Sequence, residues 1–399
     1  MSKIIIFCAD GTWNGPGEPD DDNTAAPPTN VFKLFLNLAG ADLPDTMMLA
    51  KEQERVLKAE DGSALQWAKY LHGVGDSNNF MAQMLGGTIG SGLIARIVRG
   101  YTFISRNYVP GDQTFIIGFS RGAYTARALA GLIAAKGLLD ATKNDLANRE
   151  SAYRLGSAVW FEYRQMVAQS MSGWLVKLTN FAADLPAFLQ QPVPDNQLIK
   201  APIEAVAVWD TVGSLGIPEY TLQDTRLDFF QFADKVLSPV VKHGVHAVAV
   251  DERRVDFTPT LWDPHGRITQ ALFPGCHSDV GGGFVGPGIE SGLSDCTLQW
   301  MMEQLTELGV TFAKPPLAYV PQPNARATAH ATWLSGIWSH LPKGPRVFPP
   351  TLYLSEEVID RVEAGPVISD PSLPASPYAP ENLQVYLAAG GPAPGITVV

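Results

Sequence analysis

A serine lies between two glycines in the segment Gly118-Phe119-Ser120-Arg121-Gly122, which matches the pattern G-x-S-x-G. In that pattern the serine occupies a sharp turn between a strand and a helix, where neighbouring β-carbons would clash. The residues before it are apolar and those after it are rich in alanine, as a buried strand and a helix require. The pattern therefore predicts that Ser120 is a nucleophile and that Gly118 and Gly122 make room for it.

A serine hydroxyl needs a base that takes its proton, and a histidine held by a carboxylate performs this task in triad enzymes. His277 follows an apolar run and precedes a glycine-rich turn, which allows the backbone to approach another segment closely. His265 lies on a loop and is the rival. His243 and His246 fall in Leu237–Ala249, a segment that we predict to be helical and where structural histidines are more common. We therefore predict that His277 is the base.

The carboxylate that orients this base is expected between the serine and the histidine in the chain, the order that α/β-hydrolases share. Asp210 ends an apolar run, and a carboxylate that emerges from a buried strand needs partners. Asp251 and Asp263 are weaker alternatives, because arginine or loop neighbours explain them as salt-bridge or capping residues. Asp279 could also orient the histidine. Asp210 is the predicted acid.

Two amide donors are needed to stabilise the oxyanion of an acyl-transfer reaction. Arg121 begins the helix after the nucleophile, so its amide lies at the positive end of the helix dipole. The loop after the first strand contains Asp10, Gly11 and Thr12 and lies beside the nucleophile, so Gly11 or Thr12 is the predicted second donor. Asp10 then shapes this loop through hydrogen bonds.

The same residues permit two other hypotheses. Asp10, Asp210, His277 and Asp279 carry carboxylate and imidazole groups, so a metal-dependent phosphoesterase is the first alternative. A hydrolase fold that serves only as a binding scaffold is the second. The serine-hydrolase interpretation requires neither a metal nor another cofactor, and the motif around Ser120 favours it.

Strands and helices alternate along most of the chain. Predicted strands cover Ile4–Ala9, Ala64–Leu71, Thr114–Phe119, Ile203–Trp209 and Thr269–Phe273. Predicted helices cover Val31–Leu38, Leu93–Tyr108, Arg121–Lys136, Leu237–Ala249 and Leu293–Leu308. This alternation predicts an α/β fold of the α/β-hydrolase type, with a mainly parallel sheet and helices on both faces. Functional residues collect beyond the carboxyl ends of such strands, where Asp10, Ser120, Asp210 and His277 all lie.

The chain is interpreted as one domain over residues 1–399. Residues 140–200 form an insertion after the nucleophile helix. Within it, apolar residues from Trp174 to Phe188 recur at helical spacing, which is typical of a lid or of a helix packed on the core. Residues 314–376 are rich in proline and are predicted to be irregular.

The composition excludes some partners. Lysine and arginine total 29 against 40 acidic residues, a net charge of −11, so a nucleic-acid surface is not expected. The same charge disfavours docking to an anionic membrane, which leaves at most peripheral membrane contact. Three cysteines and a short N-terminal apolar run indicate neither a disulfide framework nor an export signal. A cytoplasmic location is therefore expected, and the oligomeric state stays open.

Several segments together resemble one family. They are Phe7–Asn14, Thr29–Val31, Gly118–Ala123, Val208–Gly213, Asp251–Arg254 and Pro274–Gly283. In these the chain resembles the uncharacterised α/β-hydrolase family that includes the catalytic domain of type VI secretion phospholipase effectors. The resemblance implies Ser120 as nucleophile, Asp210 as acid and His277 as base. It also implies a phospholipase-like or lipase-like esterase acting on a small-molecule or lipid ester, with non-classical secretion by a type VI system as an alternative to the cytoplasm.

Overall fold

The computed structural model describes residues 2–11, 27–43, 52–72, 89–170, 192–212, 235–284, 290–315, 317–334 and 336–391. Thr12 and the stretch from Trp174 to Phe188 lie outside the described residues. The roles predicted for them, oxyanion donor and lid, therefore stay predictions.

The described chain contains one large sheet, two small strand pairs and helices on both sides of the sheet. The strands are β1 (Ile4–Ala9), β2 (Ala41–Asp42), β3 (Glu52–Lys58), β4 (Ala64–Leu71), β5 (Gln113–Phe119), β6 (Leu138–Leu139), β7 (Leu198–Ile199), β8 (Ile203–Trp209), β9 (Val241–Ala249), β10 (Ile268–Phe273), β11 (Tyr353–Leu354), β12 (Pro366–Val367) and β13 (Ser376–Pro377). The helices are α1 (Asn30–Asn37), α2 (Ile89–Asn107), α3 (Arg121–Lys136), α4 (Arg149–Ser170), α5 (His277–Gly281), α6 (Gly292–Glu307), α7 (Glu356–Glu363) and α8 (Glu381–Ala388).

The large sheet has the strand order β11-β10-β9-β8-β5-β1-β4-β3-β2. All neighbours from β11 to β4 pair in parallel, whereas β3 pairs antiparallel with β4 and β2 with β3. The α/β class with a mainly parallel sheet is confirmed. The order also places the ends of β5 and β8 side by side, because Phe119 pairs with Trp209.

Strand β1 shows how the sheet is covered on both faces. Ile5 and Phe7 pack into a cluster with residues of α2, α3 and α4, while Ile6 and Cys8 pack with residues of α1 and α6. Successive side chains of a strand point to opposite faces, so a strand buried on both sides is apolar at every position. This accounts for the uninterrupted apolar run that made β1 recognisable.

The predicted helix over Leu237–Ala249 is wrong. Val241–Ala249 forms the strand β9, which pairs in parallel with β8 on one side and β10 on the other. A central parallel strand is buried on both faces, so its sequence shows no polar alternation that would separate it from a buried helix. The valines of this segment favour the extended state.

The proline-rich region contributes to the main sheet. It contains β11, which extends the sheet beyond β10, and the helix α7. Phe348 and Leu352 of this region, and Tyr378 just after it, pack with Val248 and Leu272 of the sheet in a third apolar cluster. The C-terminal segment is thereby attached to the strands that precede the candidate site. Among the described helices, none is long and apolar enough to span a membrane.

Candidate active site

Ser120 lies at the turn between β5 and α3 with a strained backbone. Its φ is 56° and its ψ is −123°, a left-handed region that serine rarely adopts. A β-carbon on Gly118 would lie 2.4 Å from the carbonyl oxygen of Gly122, and one on Gly122 would lie 2.1 Å from that of Ala9. Both glycines are therefore required for the close approach that holds the serine in this turn.

Asp210 and His277 form the central contact of the site. The Nδ1 atom of His277 lies 2.5 Å from Oδ2 of Asp210, and both side chains are buried. Asp210 follows β8 directly and has a positive φ of 36°. Its other carboxylate oxygen accepts the amide of Ala249, at the end of β9, at 3.0 Å. Adjacent strand ends thus orient this carboxylate.

The position of His277 depends on the short helix α5, which it begins. Its amide donates to Oε2 of the buried Glu252 at 3.2 Å. Its ring packs on Phe119, with ring centroids 4.6 Å apart, and on Phe257 at 5.0 Å. Since Phe119 immediately precedes Ser120, the histidine ring lies next to the turn that contains Ser120.

The electrostatics favour a neutral imidazole beside an ionised carboxylate. Burial lowers the pKa of His277, against the opposing effect of its hydrogen bond to Asp210. Burial would raise the pKa of Asp210, but Arg346 and His277 outweigh it and hold that pKa well below its usual range. Nδ1 of His277 is therefore the donor to Asp210, and Nε2 is left as the proton acceptor. Among the described residues the ring hydrogen bond of His277 is the one to Asp210, so proton transfer from Ser120 stays a prediction.

Arg346 is the site residue that the sequence analysis missed. Its Nη1 donates to Oδ1 of Asp210 at 2.7 Å and its Nη2 donates to Oδ2 at 2.9 Å. The same guanidinium donates to the carbonyl oxygens of Ala249 at 2.8 Å and Phe257 at 2.5 Å. Arg346 lies in a proline-rich loop with no local pattern, and no sequence signal would have found it.

The Asp10 carboxylate makes hydrogen bonds at the start of the loop after β1. Both carboxylate oxygens of Asp10 accept the hydroxyl of Thr29 at 2.8 Å, and Oδ2 accepts that of Tyr70 at 2.5 Å. The amide of Gly11 donates to Oδ1 of Asp10 at 2.7 Å. The Gly11 amide, one of the two candidates for the second oxyanion donor, is therefore already hydrogen-bonded to the buried carboxylate of Asp10. Arg121 is the first residue of α3, as expected.

Asp279 supports the site through the backbone. Its Oδ2 accepts the amides of Cys276 and His330, each at 2.9 Å, and its Oδ1 lies 2.6 Å from Nδ1 of His330. This caps the helix α5 that presents His277. Asp279 thus acts on the orientation of the helix, while Asp210 contacts the ring.

The rival residues lie in other environments. His265 is exposed, and His246 is buried between Gln270 and the amide of Thr211. Burial lowers the pKa of His246 to about 3, so this ring is neutral and structural. Asp251 accepts the amide of Gly275 and the hydroxyl of Tyr378, and Asp263 is exposed.

The four residues of the metal hypothesis do not share a site. Asp10 contacts Thr29 and Tyr70, Asp279 contacts His330, and both oxygens of Asp210 are bonded to a guanidinium. Within the part of the chain that the structure describes, no group of three or more potential ligands is close enough to hold a metal ion. The geometry gives this alternative no support.

Comparisons with known proteins point to one family. Residues 3–304 match the family model described as the catalytic domain of the Tle1-like phospholipase effector of the type VI secretion system (T6SS). The uncharacterized protein YEL023C of Saccharomyces cerevisiae is 25% identical over 262 residues, which are 66% of this chain. The chain spans only 33% of the length of that yeast protein.

Two solved structures are similar at low sequence identity. The Tle1 effector bound to the VgrG spike from the type VI secretion system is 14% identical, with a TM-score of 0.46 and coverage of 98% of this chain and 84% of that chain. An uncharacterized protein from Pseudomonas aeruginosa is 17% identical, with a TM-score of 0.41 and coverage of 79% and 47%.

Proposed function

The chain belongs to the family of Tle1-like phospholipase effector catalytic domains, and from that premise we propose that it is a serine esterase that cleaves a carboxylic ester bond of a lipid. Membership of this family supports the general activity, hydrolysis of lipids. The chemistry is the proposal: Ser120 is the nucleophile, His277 the base and Asp210 the orienting acid. Glycerophospholipids are the expected substrates.

One observation supports this chemistry above the others. The 2.5 Å contact between Asp210 and Nδ1 of His277 lies at the same sheet edge as a serine with strained backbone angles. Of the described non-glycine residues, Ser120 and Asp210 are the two with positive φ. Backbone strain of this kind persists where the surrounding structure enforces it, and it clusters at active sites.

The reaction proceeds through an acyl-enzyme intermediate. Oγ of Ser120 attacks the ester carbonyl carbon while Nε2 of His277 takes the hydroxyl proton. The C–O bond to the alcohol then breaks, and the imidazolium gives its proton to the leaving alkoxide. Water then attacks the acyl carbon while Nε2 of His277 takes one of its protons. The bond from the acyl carbon to Oγ breaks, the imidazolium returns the proton to Oγ, and the fatty acid leaves.

The tetrahedral oxyanion requires donors at the start of α3. The amide of Arg121 is the first donor, at the positive end of the helix dipole. The second is Thr12, or Gly11 once its amide leaves Asp10. A change in the charge of Asp10 would alter how strongly that amide is held.

The surroundings of His277 suit an apolar substrate. Phe119 and Phe257 flank its ring, and Trp338 packs edge-on against Phe257 with ring centroids 5.2 Å apart. Val255 and Val347, in the segments that hold these groups, are 51% and 84% exposed. Aromatic rings beside His277 and exposed valines in the same segments favour an acyl chain and peripheral contact with lipid. The family description also supports delivery by a type VI system as part of the proposal.

A fluorophosphonate probe tests the proposal directly. We expect one covalent adduct on the wild-type protein by intact mass, and none on Ser120→Ala, with kcat on a phospholipid reduced by roughly 10⁶-fold. Ser105→Ala, which removes another buried serine hydroxyl, should still be labelled. Activity that survives in Ser120→Ala and disappears with EDTA would instead support the metal hypothesis. A folded wild-type protein with neither labelling nor activity would support the hypothesis of a non-catalytic binding scaffold.

A further inference from the structure

Arg346 comes from a part of the chain beyond residues 3–304, the stretch that matches the family model. We propose that Arg346 is a positioning residue of the catalytic site, which fixes the Asp210 carboxylate in one orientation and offsets its charge beside His277. The proposal rests on the function proposed for Ser120, Asp210 and His277. It assigns a catalytic requirement to the segment that follows the recognised domain.

The hydrogen-bond geometry restricts Asp210 to one orientation. Two nitrogens of Arg346 bond the two oxygens of the carboxylate at 2.7 and 2.9 Å, which is the bidentate arrangement that arginine makes and lysine cannot. His277 and the amide of Ala249 bond the same two oxygens from other sides. Rotation of the carboxylate would break these bonds, so His277 Nδ1 meets a fixed acceptor.

The charge of Arg346 also acts on His277. A lone buried Asp210 would favour the imidazolium strongly, because opposite charges stabilise each other in a medium of low dielectric constant. The guanidinium neutralises that charge at the carboxylate itself. The other ionisable groups that face the histidine are Glu252 and Arg254, which are paired with each other at 2.8 Å. His246, which lies near Asp210 on the other side, is neutral.

The segment that carries Arg346 is attached on both sides of the arginine. Before Arg346, the amide of Gly344 donates to the carbonyl oxygen of Arg253 at 2.9 Å. The carbonyl oxygen of Pro342 accepts the amide of Val255 at 3.4 Å. After Arg346, Phe348 is buried in the cluster that contains Val248 and Leu272. These contacts place the guanidinium against Asp210 without a contribution from the substrate.

Two substitutions of Arg346 separate its effect on the orientation of the Asp210 carboxylate from the effect of its positive charge. Arg346→Lys keeps the positive charge but loses the bidentate geometry, whereas Arg346→Met removes both. Arg361→Lys is the matched control, because Arg361 is also a buried arginine and bonds the carbonyls of Ala325, Ala327 and Ile368. Each variant is compared with the wild-type full chain in melting temperature and in the pH profile of kcat/KM on a short-chain ester.

We expect Arg346→Lys to lower kcat about 10²-fold, as misplacement of a catalytic group does, with little movement of the acidic limb of the pH profile. Arg346→Met should lower kcat at least as much and move that limb upward by roughly one pH unit, because the uncompensated Asp210 favours the imidazolium. Arg361→Lys should lower the melting temperature without moving the limb. A wild-type limb and wild-type kcat in a folded Arg346→Met protein would overturn the proposal.

A measurement that does not need turnover distinguishes failure of this proposal from failure of the esterase function. The imidazole of His277 can be titrated by NMR in ¹³C-histidine-labelled protein, with His277→Gln assigning the resonance. An upward shift of this titration in Arg346→Met supports the role of Arg346 even if no ester is hydrolysed. An unchanged titration in a folded variant contradicts it even if the wild-type enzyme is active.

Discussion

Two aspartates end parallel strands at the same edge of the sheet, and their carboxyl groups have opposite properties. Asp10 follows β1 and Asp210 follows β8, and both side chains are buried. Burial raises the pKa of Asp10 to about 6, although hydrogen bonds from Tyr70 and Thr29 oppose it. The pKa of Asp210 is well below its usual range, because Arg346 and His277 outweigh the effect of burial.

The difference lies in the charge of the partners. Asp10 is bonded by hydroxyl groups and an amide, and the charge of the nearby Arg96 lowers its pKa by less than these hydrogen bonds do. Asp210 has a guanidinium on both oxygens as well as the imidazole. A buried carboxylate that orients a base must stay ionised through the catalytic cycle, and a bonded cation ensures this. A carboxylate that shapes a loop has no such requirement.

The largest expected difference between the two is catalytic. Asp210→Asn should lower kcat by about 10⁴-fold, because the amide no longer holds the histidine tautomer that accepts the serine proton. Asp10→Asn keeps the size of the side chain and, among the groups of the proposed mechanism, touches only the Gly11 amide, one candidate oxyanion donor, so its loss should be far smaller. Steady-state kinetics on one ester substrate measures both. Equal losses would show that Asp10 takes part in the chemistry.

The next difference is in the pH dependence of stability. The folded-state pKa of Asp10, about 6, exceeds the ordinary value of a carboxyl group. As pH rises from about 4 to about 6, Asp10 ionises in the unfolded chain but stays protonated in the folded protein. The free energy of unfolding therefore falls over this interval. Asp10→Asn removes this loss, so its free energy of unfolding relative to wild type should rise by about 3 kcal/mol over that interval.

Asp210 should behave in the opposite way. Its folded-state pKa lies below the ordinary value, so its ionised form stabilises the fold above about pH 4, and this contribution is lost only as pH falls through the depressed pKa. Asp210→Asn should therefore be destabilised relative to wild type at pH 7 and less so at low pH. Urea unfolding at several pH values tests both signs, and parallel curves for the two variants would contradict the comparison.

The smallest expected effect concerns Asp251, a third aspartate, whose hydrogen-bond donors are neutral. Like Asp10 it is bonded by neutral donors, Gly275 and Tyr378, and burial raises its pKa. Asp251→Asn should cost about 1 kcal/mol of stability through weakened hydrogen bonds and leave kcat unchanged. Thermal unfolding and kinetics of this variant check the expectation. A catalytic loss comparable to that of Asp210→Asn would restore Asp251 as an alternative acid.

Local sequence was sufficient for the strands that carry the site residues. Ile4–Ala9, Ala64–Leu71 and Ile203–Trp209 are strands with the predicted bounds, because apolar runs that end at Asp or Gly have few other interpretations. The strand β3 was not predicted, since Glu52 and Glu54 interrupt its apolar character. Their side chains are buried and paired with Lys69, Arg99 and Arg106, which lie on other elements.

The amino-acid sequence alone was enough to predict the turn at Ser120 and the edge of the sheet at which Ser120, Asp210 and His277 lie. These follow from short-range rules: glycines permit a strained turn, and parallel strands end at one edge. Packing of the whole chain was needed to show that Val241–Ala249 is a strand and that Arg346 bonds Asp210. The arginine is 136 residues from its carboxylate, and a contact at that separation exists only after the chain has packed.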